Sequence, residues 1–207
     1  PPRGEHVMTA QAEHRTDDVA LPGTGDIGAA AARLLPSATP IRFLDDAGGA
    51  APEPAHGAYE MPPTDVLVDA YRRMVLGRRF DAQATALTKQ GRLAVYPSSH
   101  GQEACQIGGV LALRDTDWMF PTYRESMALV ARGIDPVQAL TLLRGDWHCG
   151  YDPTTTRTAP QCTPLATHGL HAAGLAYAAR RRGQDIVALA FVGDGGTSEG
   201  DFHEALN

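Results

Sequence analysis

An α/β protein, with helices flanking a parallel sheet, is the fold class that the sequence predicts, and three observations point to it. Segments with helical apolar spacing recur from Thr64 onward. One continuous apolar run, "DIVALAFV" (Asp185–Val192), has the composition of a strand covered on both faces. That run feeds directly into "GDGG" (Gly193–Gly196), a turn at the carboxyl end of a strand, where α/β proteins bind ligands.

Residues 1–63 read as a tail, mostly disordered. They hold nine of the fifteen prolines and only Phe43 and Tyr59 as aromatics, so they bury too little apolar surface to offset their ordering entropy. "IRFLDD" (Ile41–Asp46) is the one part suited to docking on the body, and Met8 is a candidate natural start. "GTGDIG" (Gly23–Gly28) matches the dinucleotide pattern G-x-G-x-x-G, but no strand feeds it, so it is read as coincidence.

Residues 64–207 carry the ordered elements. Thr64 or Asp65 can cap a first helix, with Leu67, Tyr71 and Met74, then Phe80, Ala84 and Leu87, at helical spacing and Gly91 as its stop. "HGQEACQIGGVLALR" reads as a helix and "DTDWMFP" as a short strand entering a loop. "TYRESMALVARG" and "DPVQALTLLRG" read as two helices closed by glycine, the second with Pro136 in its first turn. "GDWHCGYDPTTTRTAPQC" (Gly145–Cys162) is a long polar loop without periodicity. A further helix follows, with Thr163 as cap, Pro164 at the first position, Arg180–Arg182 at its negative end and Gly183 as stop.

The 207 residues suffice for one good-sized core or two small ones. A net charge of −6 offers no basic field for nucleic acid or an anionic membrane. No apolar run reaches the roughly 20 residues of a membrane span. Three scattered cysteines and the lack of a secretory pattern fit a reducing cytoplasm.

At "GDGG" no Cβ obstructs a ligand at Gly193, Gly195 or Gly196. Thr197 or Ser198 can cap a following helix whose free N–H groups suit a phosphate. Asp194 beside a phosphate requires a cation between them, and Mg²⁺ takes carboxylate and phosphate oxygens together. The residues alone therefore leave two readings: a Mg-diphosphate site with Asp194 as metal ligand, or an acidic turn serving only chain geometry.

The order of motifs adds to this. The strand, "GDG" and "TSEGDFHEALN" together resemble the first half of the thiamine diphosphate motif. With "GQEA" (Gly101–Ala104) and "YRE" (Tyr123–Glu125), the stretch from Pro62 to Asn207 resembles the α subunits of the E1 components of 2-oxo acid dehydrogenases. The resemblance implies the thiamine diphosphate-binding fold, of which this chain would be the N-terminal portion. It implies thiamine diphosphate and Mg²⁺ as cofactors, with Asp194 on the metal. Gly193, Gly195, Gly196, Tyr123 and Arg124 would lie near the diphosphate, and Thr163 and Leu165 by the aminopyrimidine. It also implies an E1 β subunit in an α2β2 assembly, a lipoyl acyltransferase E2 as acceptor and a 2-oxo acid as substrate. The family's catalytic histidine loop and the second Asn of its motif would lie beyond Asn207, so no catalytic residue is assigned.

"TPLATH" (Thr163–His168) is similar to the S-P-L-A-T-Q element of the branched-chain enzymes and lacks the glycine-rich element of the pyruvate branch. Branched-chain 2-oxo acids are therefore favoured. Pyruvate is the alternative, and a non-catalytic partner-binding fragment is the reading of another class. The family's potassium element uses Gln and Ser where this chain has His168 and Cys162, neither a natural ligand for a hard cation. His148, Cys149, Cys162, His168 and His171 lack the paired spacing of a zinc site. His100 reads either as a residue near the substrate channel or as a polar residue flanking a helix.

Overall fold

The computed structural model describes residues 41–51 and 59–207. The readings of "GTGDIG", of Met8 and of most of the tail fall outside these residues. Contacts divide the chain between Met61 and Pro62. Within residues 41–51, Leu44 and Ala50 form an antiparallel bridge. The Asp45 carboxylate closes it by accepting from the Ala47 and Gly49 N–H groups at 2.9 and 2.8 Å.

From Pro62 the elements run α1 (Thr64–Lys89), α2 (Glu103–Leu111), β1 (Trp118–Phe120), α3 (Ser126–Ala131), α4 (Pro136–Arg144), α5 (Pro153–Thr156), α6 (Thr167–Arg181) and β2 (Ala188–Ala190). A 3₁₀ turn, Asp194–Ser198, and α7 (Gly200–Leu206) follow. The result mixes helices with a small parallel sheet. β1 and β2 pair in parallel, with Trp118 opposite Ala188, Met119 opposite Leu189 and Phe120 opposite Ala190.

α1 begins after Pro63 with no side-chain cap, so neither Thr64 nor Asp65 caps it. Asp65 instead sits in the first turn, where the helix dipole favours a carboxylate. Its buried stripe is Gly77, Phe80, Asp81 and Ala84. The earlier apolar positions expected to pack, Leu67 and Tyr71, are exposed. α2 and α3 contact the helix, and Arg73 donates to the Ala131 carbonyl of α3 at 2.7 Å. At Gly77 an added Cβ would lie 3.0 Å from Met127 Sδ, so glycine permits the close approach of α3.

α4 is assembled from local signals. Asp135 accepts from the Val137 and Gln138 N–H groups, Pro136 occupies the first turn, and Gly145 ends the helix at φ 106°. α6 departs from expectation. Its cap is Ala166, at φ 65°, and Thr163 and Pro164 lie in the preceding loop. The cause is tertiary: Cys162 N–H bonds the Pro121 carbonyl at 3.2 Å, which holds the chain extended past Thr163.

The polar loop 145–162 is more ordered than its sequence suggests. It contains α5, capped by Asp152, and its end runs parallel to β1 through bridges at Met119–Thr158 and Thr122–Cys162. β1 therefore has neighbours on both edges, whereas β2 has only β1 among the described residues. β2 was expected to be covered on both faces. It is half-buried, and Val187 before it is 51% exposed. α2 reaches it at Gly109, where a Cβ would stand 3.0 Å from the Phe191 ring and 3.3 Å from Leu189. The core gathers Phe80, Val110, Met119, Ala128, Leu129, Ile134, Ala139 and Tyr151.

Asp117 locks the two strands together. Its buried carboxylate accepts from the Arg114 backbone N–H (2.8 Å), the Arg114 guanidinium (2.9 and 3.1 Å) and Val187 N–H (2.8 Å). Arg114 reaches on to Asp185 at 2.7 Å, and Arg132 binds the carbonyls of Arg114 and Asp117. A second buried carboxylate, Glu103, pairs with Arg78 and accepts from Gly101 N–H.

Two predictions follow from this packing. Hydrogen bonding from Arg114 holds the Asp117 carboxyl well below the usual range, and Arg78 brings Glu103 to about 2; burial opposes both shifts. A depressed carboxyl stabilises the fold above its unfolded value of about 4 and loses that contribution as pH falls through its folded value. Urea denaturation at stepped pH should show stability falling from about pH 5 towards 2. Glu103→Gln should flatten that slope. Separately, Gly150 has φ 85°, and a Cβ there would overlap the Gln138 carbonyl and the Thr141 hydroxyl. Gly150→Ala should therefore cost at least about 2 kcal/mol in the same assay.

Candidate functional site

Because β1 and β2 are parallel and in register, the segments leaving them emerge side by side. Pro121–Glu125 follows β1 and Phe191–Gly196 follows β2. A cleft of about 360 Å³ lies at this end, with Gln102 at the cap of α2, Cys105 and Gln106 from α2 itself, and Leu165 from the loop before α6. Tyr123, Arg124, Gly193, Asp194, Gly195 and Gly196 all line it. Thr163 does not; it is exposed on the loop two residues before Leu165.

Buried polar groups pin the Tyr123–Arg124 backbone. Ser99 Oγ and Gln106 Nε2 both donate to the Arg124 carbonyl, the latter at 3.2 Å. Gln106 Oε1 accepts from Ala128 N–H at 3.1 Å, so one amide spans the turn into α3. Gln161 donates to Ser126 Oγ at 3.2 Å from the other side. Ser99 is in turn placed by Asp81, whose carboxylate accepts from Tyr96 Oη, Ser98 Oγ and Ser99 N–H at 2.9, 2.8 and 2.7 Å. Burial, with Asp81 adding to it, pushes the Tyr96 phenol far up, so it stays a donor.

The Arg124 guanidinium donates to the Ser98 carbonyl at 2.8 Å and lies 5.5 Å from the centroid of the Tyr123 ring. An ion pair with Glu125 is the plainest expectation for it, yet Glu125 is buried and accepts from Thr122 N–H (2.6 Å) and the Thr122 hydroxyl. No carboxylate among the described residues lies within ion-pair distance of Arg124. The Asp194 side chain, exposed across the cleft, takes no hydrogen bond from them either.

The turn itself is a 3₁₀ segment. Thr197 Oγ1 donates to the Asp194 carbonyl at 2.6 Å, and neither Thr197 nor Ser198 caps α7, which starts after Glu199 without a side-chain cap. Gly193 and Gly195 do not have positive φ, and a Cβ at either would meet open space. The fold therefore does not itself require glycine there. At Gly196 a Cβ would come 3.0 Å from Val192, so that glycine serves packing.

His100 is exposed, with its N–H on Ser98 Oγ at 3.2 Å, and does not line the cleft. No group of three or more His, Cys, Asp or Glu side chains among the described residues could hold a metal ion. Cys162 donates to the Pro164 carbonyl at 3.3 Å, and burial pushes its thiol up. The His168 imidazole is engaged with the Phe191 carbonyl. Neither side chain offers an oxygen, so this pair does not suit a hard monovalent cation. The lining residues to which motif reading gave no role are Gln102, Cys105, Gln106, Thr122, Glu125, Phe191 and Val192. Gln102 and Gln106 carry a signal, being four apart on the "GQEACQ" segment and so on one face.

Residues 71–207 match the family model described as dehydrogenase E1 component. The chain is 48% identical over 145 residues to the 3-methyl-2-oxobutanoate dehydrogenase subunit alpha of Mycobacterium tuberculosis, covering 70% of this chain and 40% of that one. It is 34% identical over 141 residues to the pyruvate dehydrogenase E1 component subunit alpha of Staphylococcus aureus, covering 68% and 38%. The chain thus spans about 40% of the length of these relatives. With its strand ends, "YRE" element and "GDGG" turn converging on one cleft and the family's model covering most of its length, the chain belongs to the dehydrogenase E1 component family, among its α subunits.

Proposed function

We propose that the chain is the diphosphate- and metal-binding part of an E1 α subunit that uses Mg-thiamine diphosphate to decarboxylate a 2-oxo acid oxidatively. One observation carries the reading. The cleft sets an unpaired guanidinium opposite an unengaged carboxylate, on a turn with two glycines that the fold does not demand. A diphosphate bridged by a divalent cation uses all three. Arg124 would donate its planar fork to phosphate oxygens. Asp194 would supply one oxygen to Mg²⁺, which prefers about six. Gly193 and Gly195 would let the backbone approach the ligand. Leu165 would lie towards the aminopyrimidine.

When bound, thiamine diphosphate would supply the carbanion chemistry that 2-oxo acid decarboxylation needs. The chain's own residues bind, orient and balance charge. An E1 β subunit would complete the site in an α2β2 assembly, and the acyl group would pass to a lipoyl group on E2, in the cytoplasm. No helix among the described residues is long and apolar enough to cross a membrane.

Branched-chain 2-oxo acids are the favoured substrates, supported by "TPLAT" and by the higher identity to a 3-methyl-2-oxobutanoate dehydrogenase subunit than to a pyruvate dehydrogenase subunit. Pyruvate is the second reading, and a non-catalytic module that binds the β subunit is the third.

With the full-length protein assembled with its β subunit, Asp194→Ala should abolish Mg-dependent cofactor binding in calorimetry. Unchanged affinity would remove the metal assignment. Arg124→Ala should weaken binding roughly ten- to hundredfold, the worth of charged hydrogen bonds, while Arg181→Ala leaves it unchanged. For the substrate, kcat/KM should be higher for 3-methyl-2-oxobutanoate than for pyruvate; the reverse order selects the pyruvate reading, and no turnover of either selects the non-catalytic one.

A further inference from the structure

The first turn of α6 lies behind the cleft, and one of its side chains has no assigned role. His168 is 1% exposed. Its Nε2 bonds the Phe191 carbonyl, and its Nδ1 meets no partner among the described residues. A carbonyl oxygen only accepts, so Nε2 carries the hydrogen that the Phe191 carbonyl receives.

Phe191 is the residue at which the strand becomes the turn. Its N–H donates to the Phe120 carbonyl at 3.1 Å. Its carbonyl is held by His168. The two peptide planes flanking its Cα are thus anchored separately, one on β1 and one on α6. Two residues later the chain enters Gly193–Gly196, where glycine backbone provides little restraint of its own. The neighbours of His168 reach the same segment. Gly196 packs over Ala166, where a Cβ would stand 3.8 Å from the Ala166 nitrogen, and Thr167 Oγ1 donates to Asp201 Oδ2 at 2.7 Å. Ala166 holds φ 65°, unusual without glycine, to present these groups together.

We infer that His168 is a positioning residue for the "GDGG" turn: its Nε2–H fixes the Phe191 carbonyl and so the direction in which Asp194 leaves the sheet. This rests on the proposed reading of that turn as the cofactor site. The imidazole acts through the backbone and touches no ligand itself.

The test uses His168→Leu, His168→Asn and His168→Gln in the full-length protein assembled with its β subunit. The side-chain nitrogen of Gln falls where Nε2 sits, and that of Asn where Nδ1 sits, so Gln alone retains the donor. Hydrogen–deuterium exchange of the 191–199 region without cofactor is one readout; the calorimetric Kd of Mg-thiamine diphosphate is the other. Leu and Asn should raise exchange in that region about tenfold and Kd roughly 10–100-fold, the usual effect of losing an orienting partner. Gln should stay close to the unmodified protein in both. Wild-type behaviour of Leu and Asn overturns the inference, as does a Gln variant as impaired as Leu, or exchange that rises evenly along the chain. Should the Leu variant not fold, the Gln–Asn comparison decides. Absence of cofactor binding by the unmodified protein would instead defeat the functional reading, and the exchange data would still judge the clamp.

Discussion

The buried carboxylate of Asp117 is the constraint on which the rest of the ordered chain depends. It closes the Arg114–Asp117 turn before β1 and accepts the N–H of Val187, seventy positions away and immediately before β2. One side chain therefore joins the starts of two strands separated by four helices. Register follows, because a slip of one residue would break this bond and exchange the two faces of each strand. With the amino ends level, the carboxyl ends are level too, and "PTYRE" and "FVGDGG" are bound to meet.

The cleft they form has a rigid frame and an open rim. Asp81, Ser99, Gln106, Glu125 and Gln161 are all buried; Asp81 fixes Ser99, and the other four bond the backbone or side chains of residues 122–128. A buried polar network specifies geometry only when its members are satisfied, and these are. Arg124 and Asp194, by contrast, sit at the rim with unused hydrogen-bonding capacity. Reactive groups on loops held by a fixed scaffold are the usual economy of binding sites.

α1 illustrates the reverse situation. Its apolar stripe is longer than the surface it meets, so Val66, Leu67, Val68, Tyr71, Val75 and Leu76 remain exposed while Phe80 and Ala84 are buried. Exposed apolar side chains gathered on one helix are common where subunits meet, which accords with the proposed association with a β subunit.

What the sequence determined by itself was whatever short-range chemistry controls. Asp135, Pro136 and Gly145 bound α4 because capping and left-handed stops act within one turn. The apolar run before "GDGG" located β2, the turn itself marked Asp194, and the resemblance to E1 α subunits added Tyr123 and Arg124 to the same candidate site. What only the tertiary structure decided were the features set by distant partners. Thr163 looked like a helix cap, but the bond from Cys162 to Pro121 carries the chain past it, and α6 starts at Thr167. The polar loop 145–162 showed no periodicity, since its order comes from bridging β1 rather than from its own pattern. Nothing local marks Asp81, whose partners Tyr96, Ser98 and Ser99 lie 15 to 18 positions along. Short-range hydrogen bonds and backbone sterics are written in neighbouring residues; burial and long-range partners exist only once the chain has closed on itself.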